Sequence, residues 1–410
     1  MKRALLPALL GLVALAAGAC AKDESTCTGL RDKLRACGFT TPDQVDCARL
    51  DSSTEESLMQ RLSERGCSGV AEGDSDAVDP RVCALAGWSC PGSPVPDPGA
   101  ARPKNTVVLV SGIDGSPSFD WNPRVLSALR TAGVDAHHVQ VLPWATTPDR
   151  ASDLWASLQS LRGRNGGKVN LVCYAVGGID CRYVASPNGL FKGDESGQAD
   201  VRAAIASITT IATPHHGTRV ADAALAALQS GAAADVLQAL VGDQAPAGVP
   251  ASAALVSTLD GLTLDALSAF NQTVTDAPGV VYQSWAGISH VLGRSSPSTD
   301  AQIAAHCTDA HGALQYMRHD GTNDAMNELL WLTSPFASAS RSNEGRVVSS
   351  PADGMVSVES AKWGEFRGCL PADHYDVIGQ ISHTTRDGVT GFDAPRFYVW
   401  LASDLAARGL

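Results

Sequence analysis

The chain has 410 residues, 44% of them hydrophobic and 18% charged, and a formal charge of -12. That is more than one typical domain and enough apolar material for a packed core, which excludes disorder for most of its length. No long Lys or Arg run offsets the negative balance, and phosphate backbones are held mainly by clustered cations, so nucleic acid is excluded as a partner.

Residues 1–20 carry Lys2 and Arg3, then an apolar run from Ala4 to Ala17, then small residues up to Cys20. This is the pattern of an export signal peptide, and the run falls short of the roughly 20 apolar residues that cross a bilayer. Ala17-Gly18-Ala19-Cys20 resembles a bacterial lipobox, with Ala17 where Leu is usual, and also fits an ordinary A-x-A cleavage site. The favoured expectation is a lipoprotein anchored to a membrane through Cys20, at the outer membrane or cell surface. The alternative is a secreted or periplasmic protein. The eleven cysteines agree with export, because disulfides persist in oxidising compartments, and setting Cys20 aside leaves an even ten.

Residues 21–90 hold Cys27, Cys37, Cys47, Cys67, Cys83 and Cys90 between short helical patterns such as Leu30, Leu34 and Leu58, Leu62. So few apolar residues make no independent core, and a small disulfide-rich helical domain is expected, with fifteen possible pairings and Cys83 with Cys90 the natural local pair. Zinc is the rival reading, and it lacks a C-x-x-C pair or a nearby His. Residues 91–104 are Pro-rich without apolar periodicity, which predicts an extended spacer before a second domain at 105–410.

Beyond the spacer, β-rich apolar runs at 106–110, 139–142, 169–172, 208–211 and 280–285 alternate with helical patterns at 125–130, 153–161 and after Gly178. Alternation of this kind predicts a mostly parallel sheet with helices on both faces, in which ligands bind at the carboxyl ends of the strands. From Gly217 to Phe270 the sequence is rich in Ala and Leu at helical spacings, a helical insertion that either forms a lid over an apolar cleft or completes the fold.

The stretch that organises this second domain is Lys168 to Val184, a buried strand, a sharp turn and a helix opened by Gly177 and Gly178. It has the form of a nucleophile elbow, G-x-S-x-G, in which a strained turn lifts a Ser hydroxyl above the sheet. Here the five residues are Cys173, Tyr174, Ala175, Val176 and Gly177, so the reactive position has neither hydroxyl nor thiol. Ser111, Cys173 and Cys181 are the nearby replacement candidates. Strand alternation points Cys173 away from the elbow tip and Cys181 is well into the helix, which leaves Ser111.

With the elbow, the first-strand motif Val107 to Gly112, Thr213-Pro214-His215-His216-Gly217, Phe270-Asn271, Tyr282 to Gly287, Asp353 to Val358 and His374-Tyr375-Asp376 occur in order. Through these the sequence resembles the calcium-dependent bacterial triacylglycerol lipases of the α/β-hydrolase superfamily, from about Thr106 to Gln380. The resemblance implies an α/β-hydrolase fold, Asp353 as triad acid, His374 as triad base, and the backbone N–H groups of Ile113 and Val176 as oxyanion donors. Ala175 stands at the nucleophile position. Ser111-Gly112 replaces the family's His-Gly, and Cys173-Tyr174 its Gly-His. The resemblance also implies a structural Ca2+ held by Asp376, Gln380, the carbonyl of Thr384 and an earlier Asp, for which Asp324 is the candidate. Calcium suits oxygen donors of this kind. Cys307 and Cys369, one ahead of the Asp353 loop and one just before His374, are expected to pair. A zinc site at His306, Asp309, His311 and His319 lacks regular ligand spacing.

The function expected is therefore an exported lipase-like homologue without Ser-hydrolase activity that binds a lipid or ester ligand. The rivals are an active carboxylester hydrolase using Ser111 or a His374-activated water, and a surface-interaction or chaperone-like protein whose cysteine domain contacts a protein partner.

Overall fold

In a computed structural model the described residues are 28–30, 32–33, 52–65, 95 and 98–410, apart from 115, 117–118, 166, 231–245, 247, 294–296, 308–323, 342–345, 381–389 and 391. The signal segment, Cys20 and the six cysteines of the first region lie outside them, as does Thr384. The chain divides into two compact units, Met1–Pro91 and Gly92–Leu410. In the first, helix α1 (Ser52–Arg65) buries Leu58 and Leu62, one turn apart on one face, and Leu30 is buried as well.

The second unit is built on six strands, β1 (Thr106–Val110), β2 (Ala136–Val139), β3 (Val169–Tyr174), β4 (Ile205–Ile211), β5 (Val281–Gly287) and, late in the chain, β8 (Glu365–Leu370). They lie in the order β2-β1-β3-β4-β5-β8, and each neighbouring pair is parallel. A short antiparallel pair, β6 (Ala339–Arg341) and β7 (Val347–Ser349), stands apart. Parallel strands need crossovers, and helices α2 (Pro123–Thr131), α3 (Thr147–Asn165), α4 (Gly177–Ala185) and α5 (Glu195–Ala204) make the first ones. Helix α12 (Ala394–Ala407) closes the chain.

Side-chain alternation sorts the strands onto two cores. Val107, Leu109, Val172, Tyr174 and Trp285 pack with Val125 and Leu129 of α2 and with Phe397 and Leu401 of α12. Val108, Val110, Leu171, Cys173 and Ile208 pack on the opposite face with Leu154 and Leu158 of α3 and with Cys181 and Val184 of α4. Every residue of β3 and β4 is buried, as a strand covered on both faces requires. Within the segment expected to be an extended spacer, residues pack on this unit: Val95 belongs to the α2–α12 core, and the Gly99 carbonyl accepts from Ser403.

Three helices follow β4 within the expected insertion, α6 (Arg219–Gln229), α7 (Ala251–Asp260) and α8 (Leu264–Thr273). Between β5 and the end of the sheet come α9 (Pro297–Cys307) and two single turns, α10 (Ser334–Ala337) and α11 (Val358–Ala361). The second strand lies earlier than the run expected at 139–142, and β8 was not expected at all. Among the described residues no single helix is long and apolar enough to cross a membrane, although α7 and α8 together, bent by 63°, reach that length and composition.

Candidate active site

Chain order reverses around β1 and β3: β2 lies on one side of β1 and the later strands on the other. Such a switch point opens a crevice at the carboxyl ends of the strands, and the elbow stands in it. β3 stops at Tyr174, Ala175 takes φ 47°, and α4 begins at Gly177. A left-handed backbone at a residue with a Cβ costs about 1–2 kcal/mol, and the surroundings hold it in place. The Ala175 N–H donates to the Ile211 carbonyl (2.9 Å), and its own carbonyl accepts from Gly178 (3.0 Å). The two glycines are needed for space. A Cβ on Gly177 would lie 2.3 Å from the Ser111 carbonyl oxygen, and one on Gly178 would lie 2.1 Å from Thr213 Oγ1.

A disulfide spans this turn. Cys173, on the α4 face of β3, is bonded to Cys181 of α4, eight residues on, and both are fully buried. Cys173 thus points away from the elbow tip as alternation requires, and both thiols are committed to each other. The expected Cys307–Cys369 disulfide is also present, tying the end of α9 to β8.

Asp353 and His374 meet beside the elbow. His374 Nδ1 lies 2.8 Å from Asp353 Oδ2, and since a carboxylate only accepts, Nδ1 carries the hydrogen. Asp353 Oδ1 accepts from the N–H groups of Met355 (2.9 Å) and Val356 (2.7 Å), and the His374 N–H donates to the Asp353 carbonyl (2.9 Å). Both side chains are buried. This is the geometry in which a buried carboxylate orients an imidazole from behind, the arrangement expected of Asp353 and His374.

Tyr174 sits where the resembled family has His. Its hydroxyl donates to the His374 carbonyl (2.7 Å), with the two rings 5.1 Å apart, and burial holds the phenol far above its ordinary pKa, so it remains a donor. Ser111 is occupied elsewhere: its Oγ lies 3.4 Å from the Val139 carbonyl and accepts from the Val141 N–H (3.3 Å), linking β1 to the segment after β2. This arrangement counts against Ser111 as a nucleophile.

Arg150 of α3 was missed by sequence reasoning. It is fully buried and its guanidinium donates to Gly112 O (2.5 Å), Ile113 O (3.0 Å) and Leu142 O (2.9 Å) while pairing with Asp180 of α4 (2.8 Å). Burial pushes the Asp180 carboxyl up and the Arg150 charge opposes it. One side chain thereby fixes the Ile113 loop to the helix that follows the elbow. Ile113 and Val176 share an apolar cluster with Trp144 and with Ala221, Ala254, Leu255 and Leu262 of the inserted segment.

The carboxylates of Asp324, Asp373 and Asp376 offer oxygens all within 4.8 Å of one another, and all three residues are buried. An oxygen-only set of this charge suits a hard cation such as Ca2+. Asp324 and Asp376, both expected, are thus brought together, and Asp373 is an addition whose only sequence signal is its place next to His374. Asp373 is anchored by the N–H groups of Tyr375 (2.8 Å), Asp376 (2.9 Å) and Asn327 (2.7 Å), yet burial and the nearby Asp353 push its carboxyl up to about 6. The Gln380 amide donates to the Asp120 carbonyl. Of the zinc candidates, His306 pairs with Glu359 (2.7 Å), and Asp309, His311 and His319 lie outside the described residues.

The parallel sheet, the elbow at its switch point and the Asp353–His374 pair define a lipase-like α/β-hydrolase scaffold. No protein-family model matches the chain. Over 296 residues it is 26% identical to Triacylglycerol lipase 2 of Saccharomyces cerevisiae, covering 68% of this chain and 72% of the yeast protein. It is 27% identical over 224 residues to Triacylglycerol lipase of Vibrio cholerae, covering 49% and 68% respectively. Among solved structures, Staphylococcus hyicus lipase matches at 16% identity and a TM-score of 0.44, covering 76% of this chain and 98% of that one. EstA from Clostridium botulinum matches at 16% and 0.48, covering 86% and 97%.

Proposed function

We propose that this chain is a lipase homologue that binds a lipid or ester ligand at the elbow and has given up Ser-dependent hydrolysis. The observation that carries the reading is Ala175 at φ 47°: the strained turn is kept, and the residue it presents has no nucleophilic atom. Asp353 and His374 would still hold and move a proton, but no hydroxyl stands before them to lose one. What is left of such a site binds, with at most about 10³- to 10⁴-fold catalysis over water from the oxyanion donors and positioning. Turnover of short and long p-nitrophenyl esters, set beside retention of fatty acid by the purified protein, tests this. Rates on the order of 1 to 10³ per second would overturn it. If Ser111→Ala then abolished them, Ser111 would be the nucleophile.

Two further parts of the reading concern its setting. Asp324, Asp373 and Asp376, with Gln380 and Thr384 as the resemblance suggests, would hold Ca2+, which would brace the His374 loop and take no part in chemistry. Cys20 would carry a lipid after export; mass spectrometry of the native N-terminus decides between the anchored and the freely secreted protein.

A further inference from the structure

We propose that the cleft between α3 and the start of α7 binds a hydroxyl-rich head group, a sugar or polyol, so that the lipid of the reading above is one that carries such a head; the lipid part rests on that reading. The cleft has a volume of about 520 Å3, within the roughly 300–1,000 Å3 of small-molecule sites. Trp144 and Ala254 belong both to its lining and to the apolar cluster around Ile113 and Val176, so the cleft shares a wall with the surroundings of the elbow.

Two kinds of surface meet in it. Leu142, Trp144 and Val249 are apolar, whereas Asp149 and Asp153, one turn apart on the same face of α3, present carboxylates. Asp149 Oδ2 accepts from the Thr146 hydroxyl (2.6 Å) and Asp153 Oδ2 from the Leu142 N–H (2.9 Å), which holds both side chains in place and leaves the Oδ1 atom of each without a donor among the described residues. No Lys, Arg or His is among the described residues of the lining, and the sequence has no Lys or Arg between Arg219 and Arg294.

Trp144 supplies the observation that points to a ligand. It is 4% exposed, and its Nε1–H has no acceptor. A buried indole N–H ordinarily finds a partner, and the open space that this indole borders is the cleft, so the missing acceptor belongs to an occupant. Its backbone takes φ 49°, a left-handed conformation rare for a bulky residue, and its own N–H holds it there by donating to Ile113 O (3.2 Å).

The occupant must therefore donate to two carboxylates and accept from an indole. A carboxylate or phosphate only accepts, and Asp149 and Asp153 repel it. An ammonium only donates, and it leaves the indole unpaired. A hydroxyl does both, and several hydroxyls on one ring serve all three groups at once. Leu142 and Val249 then take the C–H face of that ring or the first methylenes behind it.

The test is calorimetric binding of octyl glucoside, octan-1-ol and octyltrimethylammonium, each below its aggregation concentration, to the full chain. Octyl glucoside should bind about tenfold or more tightly than octan-1-ol, and more tightly than the ammonium. Trp144→Phe, which keeps a ring and removes the N–H, should take away most of that advantage, as should Asp149→Ala at an exposed position where folding is not at stake. The chain has eight tryptophans, and the indole 1H–15N resonance absent from Trp144→Phe should move when the parent is titrated with methyl glucoside, which has no chain. Equal binding of glucoside and alcohol, tighter binding of the ammonium, or an unmoved Trp144 resonance overturns the cleft and leaves the lipid-binding reading in place. Glucoside binding without retention of fatty acid upholds the cleft and removes the lipid. Binding of none of these ligands, fatty acid included, overturns both.

Discussion

The two halves of the candidate site differ in the chemistry they present. On the side of the late loops, His374 is held against Asp353, whose Oδ1 accepts from two backbone donors. On the side of the elbow, Ala175 lacks the hydroxyl, Tyr174 reaches to His374, Cys173 is bonded to Cys181, and Ser111 is bonded within the sheet. The backbone of the elbow nonetheless makes the sharp strand-to-helix turn, with Ala175 at φ 47°. Geometry and chemistry have therefore come apart here: the scaffold holds the elbow's shape through packing and cross-links, whatever atom its tip carries.

The comparison breaks most directly with Ala175→Ser. If the retained half is still aligned, ester turnover should rise by about 10²- to 10⁴-fold over the parent, measured with p-nitrophenyl esters. A folded variant with no gain would mean that the two halves no longer meet. Next is Arg150→Met, which leaves Asp180 buried without its partner and takes one donor away from each of three carbonyls, of which Ile113 O still accepts from the Trp144 N–H. A loss of about 3–5 kcal/mol in urea unfolding is expected.

Cross-links sharpen the contrast. By loop-closure entropy, losing Cys307–Cys369, with a separation of 62, should cost about 4 kcal/mol, and losing Cys173–Cys181, with a separation of 8, about 2–3 kcal/mol. In the Ala175→Ser background the order should invert for activity, because the shorter bridge lies across the turn. Chelation, or Asp376→Ala, should lower the melting temperature if Ca2+ braces the His374 loop, and should leave it unchanged otherwise.

The smallest effect is one of pH. Burial, with Arg182 beside it, holds His215 well below its ordinary value of 6.5, and burial lowers His216 as well. His215 Nδ1 faces the Arg182 guanidinium (3.2 Å), so that nitrogen accepts and the ring is neutral, with Nε2 toward Thr210 (2.9 Å). The unfolded chain takes up these protons first. Stability is thus full above about pH 6.5 and declines as pH falls from there toward the depressed folded values. Melts between pH 7.5 and 5 should show that slope, and His215→Gln should flatten it.

Much of this was legible in the sequence because burial on both faces leaves unbroken apolar runs. Val107 to Val110 of β1 form such a run, β3, β4 and β5 are apolar-rich runs interrupted by buried polar residues such as Asn170, Thr209 and Gln283, and the glycines after Ala175 mark the elbow. Edge strands escaped for the converse reason. β2 is Ala-His-His-Val, and β8 carries Glu365 and Arg367, whose charges are matched by each other and by Asp404 and Arg408, neighbours that no local pattern reveals. Arg150 was hidden likewise, since its four partners come from three separate segments. For the Cys173–Cys181 pair the signal was a strand, a turn and a helix between two cysteines, which brings the start of the helix back beside the end of the strand.

That bridge also bears on the order in which the molecule is assembled. Its cysteines lie at a sequence separation of 8, so the loop between them closes at small entropic cost and requires only β3, the turn and α4 to have formed. The Cys307–Cys369 bridge joins α9 to the outermost strand and waits on most of the sheet. A chain meeting an oxidant as it folds can therefore lock its central turn first and its last strand late. Produced in a reducing cytosol, the same chain would have to hold Ala175 in its strained conformation by packing alone, and such material should be compared with the oxidised protein before any silence of the site is ascribed to its sequence.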